Sequence, residues 1–280
     1  MPVPTHLHAL LDDATAVHAG EAGLDEGVRT HREHRGAWYG DLVGPLVVGD
    51  AILPRLAQAV PSGAGVLEVA VAVSGGAGAL EPAVLWATRT GGLHLHGLQV
   101  TMRESDAGDL APNARRIVAA VDDLLASGTL DEDVWVYVEP PPLSAPEPTP
   151  SWLSALDELA TVDHRLTLRA DDSLAVCIDA ALDRELRFRC SGLRRALPQR
   201  DPRSGLHRPG FLNVLLATRA SLDGVSRAEV SAVLEETDAT ALTADDAALA
   251  SAHRWFTSFD TDSVTESLRD LVDLGWLVER

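Results

Sequence analysis

The stretch from residue 66 to residue 102, VLEVAVAVSGGAGALEPAVLWATRTGGLHLHGLQVTM, contains one complete strand–helix–strand unit. Val66–Ser74 is rich in β-branched residues and reads as a strand. Gly75, Gly76 and Gly78 make a turn, Glu81–Thr88 has helical spacing, and Gly91 and Gly92 stop it before a second strand at Leu93–Met102. Two strands joined through a helix run parallel, which places the chain among α/β proteins.

The same alternation extends in both directions. Upstream lie a strand at Leu42–Val48 and a helix around Ala51–Val60, preceded by a moderately polar helical stretch, Thr5–Arg29. Downstream come a helix at Asp109–Ala126, a strand at Val134–Val138, a helix at Trp152–Leu159 and a strand at Arg165–Arg169. Asp172–Leu182 follows as helix, Leu186–Cys190 as strand, and Phe211–Ala220 and Arg227–Glu236 as helices. Ala239–Leu242 and Trp255–Phe259 read as two last strands, and Val264–Leu274 as a closing helix. About eight strand–helix units match a (β/α)8 barrel over residues 1–280, with residues 1–30 as an N-terminal helical extension. An open doubly wound sheet is the alternative. Pro140–Pro150 (PPPLSAPEPTP), with its six prolines, is a stiff loop after the fourth strand that walls the site.

Composition narrows the function. The net charge of −19 argues against a nucleic-acid or anionic-membrane partner, and a small anionic partner would need a local arginine pocket to overcome it. All basic residues are arginine, so Schiff-base and P-loop lysine chemistry is absent. Cys177 and Cys190 alone suit a reducing compartment, and no signal peptide or membrane-length apolar run is legible, so the expected location is cytoplasmic. The oligomeric state is not legible.

Barrel active sites gather at the carboxyl ends of the strands, and side chains alternate between the interior and the helix layer. In VWVYVE (134–139) the residue ending the inward set is Glu139; in RLTLR (165–169) it is Arg169; in LRFRC (186–190) it is Arg189. These suggest a carboxylate acid–base, Glu139, beside anion-binding Arg169 and Arg189. An interior ion-pair cluster is the competing explanation. Arg194 joins them as a substrate-binding candidate, Arg195 extends the basic loop, and His207 is a second acid–base candidate. Cys190 falls on the outward parity and reads as a packing residue.

No cofactor is expected. Asp260 and Asp262 form a DxD pair that would suit Mg²⁺, but Ser263 with Glu266 explains this polar run as a helix cap. His94 and His96 have metal-site spacing without further ligands, and His31 with His34 reads as a solvated helix end.

Phe188–Leu216, with FRCSGLRR and GLHRPGFLNVLL, resembles an uncharacterised group of actinobacterial proteins associated with a barrel fold. That group shows F-K-x-T-A-G-L-H-H followed by H-G-F-L-N-V-L-L. Phe256–Phe259 (FTSF), Glu266 and Asp270 extend the likeness. Arg189 stands at the lysine of the pattern, and Arg194 and Arg195 at its two histidines, so any lysine chemistry of the group is lost here. The strand-end residues Glu139, Arg169 and Arg189 lead to the first expected function, a lyase or isomerase acting on a small anionic metabolite. A non-catalytic barrel that binds a ligand or protein is the second, and metal-assisted hydrolysis through Asp260 and Asp262 the third.

Overall fold

A computed structural model describes residues 2–60, 65–103, 109–200 and 207–279, without the side chains of residues 18–22 and 207. The strands in chain order are β1 (Leu11–Asp13), β2 (Val43–Gly49), β3 (Leu67–Val73), β4 (Leu93–Thr101), β5 (Trp135–Glu139), β6 (Arg165–Arg169) and β7 (Phe188–Ser191). A short antiparallel hairpin, β8 (Gln199–Arg200) and β9 (His207–Arg208), precedes β10 (Phe256–Thr261). The strands β1–β7 and β10 are all parallel and close into an eight-stranded barrel, in which β1 pairs with both β2 and β10. The fold is a (β/α)8 barrel.

The helices are α1 (Thr15–Gly36), α2 (Leu53–Ala59), α3 (Leu80–Arg89), α4 (Ala111–Ala126), α5 (Pro150–Ala160) and α6 (Leu174–Leu182). Three more, α7 (Phe211–Leu222), α8 (Arg227–Glu235) and α9 (Asp246–His253), lie between β7 and β10, and α10 (Val264–Asp273) follows β10. Among the described residues no helix is long and apolar enough to cross a membrane.

Residue alternation sets the two layers of the core. Along β3, Leu67, Val69, Val71 and Val73 belong to the large cluster beneath the helices, while Ala70 joins Ala14 and Val47 in a small cluster inside the barrel. In α4, buried Ala114, Ile117, Val121 and Leu124 recur at helical spacing and supply its inner stripe. Two of the helix starts are capped by serine: Ser226 forms a capping box with Glu229 on α8, and Ser263, as expected, accepts from the Glu266 N–H on α10.

A bulge shapes β10. Phe256 aligns with Phe188 and Phe259 with Cys190, so three steps on β10 oppose two on β7. Both phenylalanines therefore face the helix layer, where Phe256 stacks on Phe188 and Phe259 on Phe211. The residues between them, Thr257 and Ser258, both make polar contacts inside the barrel.

Two readings of the sequence need correction, and they offset each other in the count of strands. Leu11–Asp13 is the first barrel strand, so α1 is the first barrel helix and residues 1–30 are not a helical extension. Ala239–Leu242 is not a strand; residues 239–241 form a turn. The three-residue β1 is too short to show a period of its own, and its pairing with two neighbours supplies the order that local sequence does not.

Candidate functional site

Arg189 projects from β7 into the barrel and is 1 % exposed. Its guanidinium meets Asp12 at the end of β1, with Nη2 3.1 Å from Oδ2, and Asp260 on β10 in a second ion pair. Nη1 donates to Gln99 Oε1 on β4 at 3.4 Å, and the Ser258 hydroxyl donates to Asp12 Oδ2 at 2.7 Å. A buried arginine is tolerated only when its charge is matched. Here two carboxylates from adjacent strands match it, which ties β7, β10 and β1 together at the carboxyl end of the barrel.

Gly44 makes room for this arrangement. A Cβ there would lie 2.3 Å from Asp12 Oδ1. Below this layer Arg165 Nη1 donates to the Tyr137 hydroxyl at 3.0 Å, and its guanidinium lies over the Trp135 ring, 3.4 Å from the centroid. Among the described residues no carboxylate pairs with Arg165; ring and phenol supply its electrostatic partners. Tyr137 also bonds Thr257 Oγ1 at 3.1 Å, so the interior opposite the alanines is a connected polar layer.

Above Asp260 opens a cavity of about 610 Å³. Its floor includes Ala14, Val47, Ala72, Gln99 and Asp260. Its walls come from the segments after β7 and β10, including Arg194, Arg208, Asp262 and Glu266. The β7 segment is firmly anchored. Arg195 grips Asp270 of α10 through two hydrogen bonds of 2.8 and 2.6 Å, and the Ala196 N–H donates to the same carboxylate at 2.8 Å. Gly210 lets this segment pass close to the start of α7, since a Cβ there would lie 2.1 Å from the Ala196 carbonyl oxygen.

The residues expected from the sequence separate into groups. Glu139 and Arg169 pair with each other, Oε1 to Nη2 at 2.8 Å, but neither lines the cavity. Arg189 lies under the cavity floor and pairs with Asp12 and Asp260, not with Glu139. Arg194 lines the cavity and pairs with Asp262 at 3.0 Å. His207 belongs to β9, but its side chain lies outside the described residues. The proline-rich loop does not wall the cavity; the Trp152 indole N–H fastens it through the Pro141 carbonyl at 3.0 Å.

Other expected features have local explanations. Asp260 and Asp262 each hold an arginine, and no group of three metal-type ligands occurs among the described residues. His94 borders a cleft of about 410 Å³ that also includes Glu68, His31 and Arg35. His96 sits at the register shift between β3 and β4. His31 is not solvated as expected; it is buried and bonds Asp13 at 3.1 Å. Cys190 is buried in the outer layer and Cys177 is buried on α6. Burial pushes both thiols up, Cys177 to about 11.

Asp12 is the residue that sequence reasoning missed. Its signal is the run HALLDDAT (8–15), two leucines followed by two acids ahead of a helix, which fits a short barrel strand ending in an inward carboxylate. Gln99 was also legible, at an inward position of a strand already recognised.

Fold and site together define a (β/α)8 barrel with a polar cavity at the carboxyl ends of its first, seventh and eighth strands. The chain matches no family model and no curated protein.

Proposed function

We propose that the chain is an acid–base enzyme of lyase or isomerase type, acting on a small anionic metabolite in the cavity above Asp260. The observation that supports this most directly is the ion pair that holds Asp260, on a cavity floor bordered by arginines, to the buried Arg189 that also meets Asp12. A carboxylate anchored from below and facing a cavity is suited to take a proton from a bound molecule. Arginines on the wall suit an anionic group, which the net charge of −19 would otherwise repel. Asp260 takes the proton-moving role here in place of Glu139, because Glu139 pairs with Arg169 away from the cavity lining. The two buried free thiols suit a reducing, cytoplasmic setting.

The test has two stages. Thermal shift with small phosphates and carboxylates identifies ligands, since binding to the folded state raises Tm. Proton NMR in D2O then follows exchange of carbon-bound hydrogens of each ligand with wild type, Asp260→Asn and Glu139→Gln. Exchange lost in Asp260→Asn and kept in Glu139→Gln supports the proposal. The reverse assigns the chemistry to the Glu139–Arg169 pair. Binding without any exchange makes the chain a non-catalytic binding barrel.

A further inference from the structure

The cavity has two chemically different sides. On the β7 side, Arg208 donates from Nη1 to the Gly192 carbonyl at 3.0 Å, and among the described residues no carboxylate pairs with it. Gly192 has φ +86°, and a Cβ there would lie 3.1 Å from Arg208 Nη1, so the glycine lets the guanidinium sit against the backbone. Arg194 and Arg195, by contrast, are committed to Asp262 and Asp270. Arg208 is thus a cavity-lining cation that no carboxylate of the described residues already matches. A guanidinium presents a planar fork of donors, and one arm on Gly192 leaves others for an anion.

The β10 side is lined by acceptors. Asp262 Oδ2 takes the ion pair with Arg194, while its Oδ1 is buried without a hydrogen-bond partner among the described residues. A buried carboxylate oxygen with no donor is costly, and a donor supplied by a ligand relieves that cost. Asp260 and Glu266 line the same side. Carboxylates accept from hydroxyl groups and repel anions.

We infer that the cavity binds a hydroxylated anion, with its phosphate or carboxylate group held by Arg208 and a hydroxyl group donating to Asp262. This rests on the cavity being the functional site, and it adds the orientation and substrate class. A phosphate and a carboxylate are equivalent in this chemistry, and only measurement separates them.

The probes are glycerol 3-phosphate and glycerate, which carry both groups, methyl phosphate and acetate, which lack hydroxyls, and glycerol, which lacks the anion. Binding is measured by calorimetry with wild type, Arg208→Gln and Asp262→Asn. Arg208→Gln keeps a donor for Gly192 but loses the charge, and unchanged Tm shows that each variant is folded. The expected result is binding of one or both hydroxylated anions, weakened tenfold or more in Arg208→Gln. Asp262→Asn weakens them several-fold while leaving methyl phosphate or acetate unaffected. Preference for glycerol 3-phosphate over glycerate, or the reverse, names the anion. The inference is overturned if no hydroxylated anion binds, if Arg208→Gln binds like wild type, or if the hydroxyl-free anions bind equally well. Binding that follows these rules without hydrogen exchange in D2O would remove the enzymatic reading alone and keep the subsite.

Discussion

Arg189 Nη2 lies 3.1 Å from Asp12 Oδ2, joining two strands, β7 and β1, that are separated in the barrel by β10. The contact links residues far apart in the chain and closes the barrel at its carboxyl end. Arg189 also forms an ion pair with Asp260 on the intervening β10.

Removing the cation should expose how much this closure depends on charge matching. Arg189→Met leaves Asp12 and Asp260 buried or half-buried without their partner, and a loss of about 3–5 kcal/mol is expected. Asp12→Asn keeps an acceptor for Ser258 and should cost less, about 1–3 kcal/mol. Urea unfolding of the two single variants and the double variant gives the coupling, expected at about 1–3 kcal/mol. A coupling near zero would show that the pair does not stabilise the barrel.

Gly44→Ala tests the packing against Asp12 without replacing a charged group. The added methyl must displace the Asp12 carboxylate or the backbone of β2, with an expected cost of about 1–3 kcal/mol. Gly49→Ala, where a Cβ meets nothing within 4 Å, is the comparison and should leave the urea midpoint nearly unchanged.

Asp13 predicts an acid limb of stability. Burial by itself would raise its pKa, but hydrogen bonds with His31 and Thr15 outweigh this and hold the carboxyl below its ordinary 3.8. A folded-state value lower than the unfolded one means that the contribution is complete above the unfolded value and disappears as pH falls through the folded one. The stability difference between wild type and Asp13→Asn should therefore shrink as pH falls below about 4. A difference that stays flat into the acid range would contradict this assignment.

Both cysteines should be inert in the folded protein. Their pKa values are raised by burial, so thiolate is scarce at neutral pH and reagents have no access. Ellman's reagent at pH 8 is expected to detect neither thiol before denaturation and two afterwards. A fast-reacting thiol in the native protein would require Cys177 or Cys190 to reach solvent.

Asp270→Asn tests the anchor of the cavity wall. It weakens the charge-assisted pair with Arg195 and the bond from the Ala196 N–H, with an expected cost of about 1–3 kcal/mol. Native-state hydrogen exchange should show faster exchange at Ala196 than in wild type, while β3 amides are unchanged.

Much of the barrel was legible because its signals are local. Alternating Val and Ala in β3, the helical stripe of α4 and the Gly pairs between elements each act over a few residues, and together they specify parallel strands covered by helices. The inward parity of Arg189, the outward parity of Cys190 and the cap at Ser263 were readable for the same reason. β1 was not, since three residues carry no period and their strand character comes from being paired on both sides. The identity of Arg189's partners depended on that strand. A charge inside a barrel is matched by whichever carboxylate the closed ring brings within reach, so the tertiary structure alone decided that Asp12 and Asp260 meet Arg189 while Glu139 stays with Arg169.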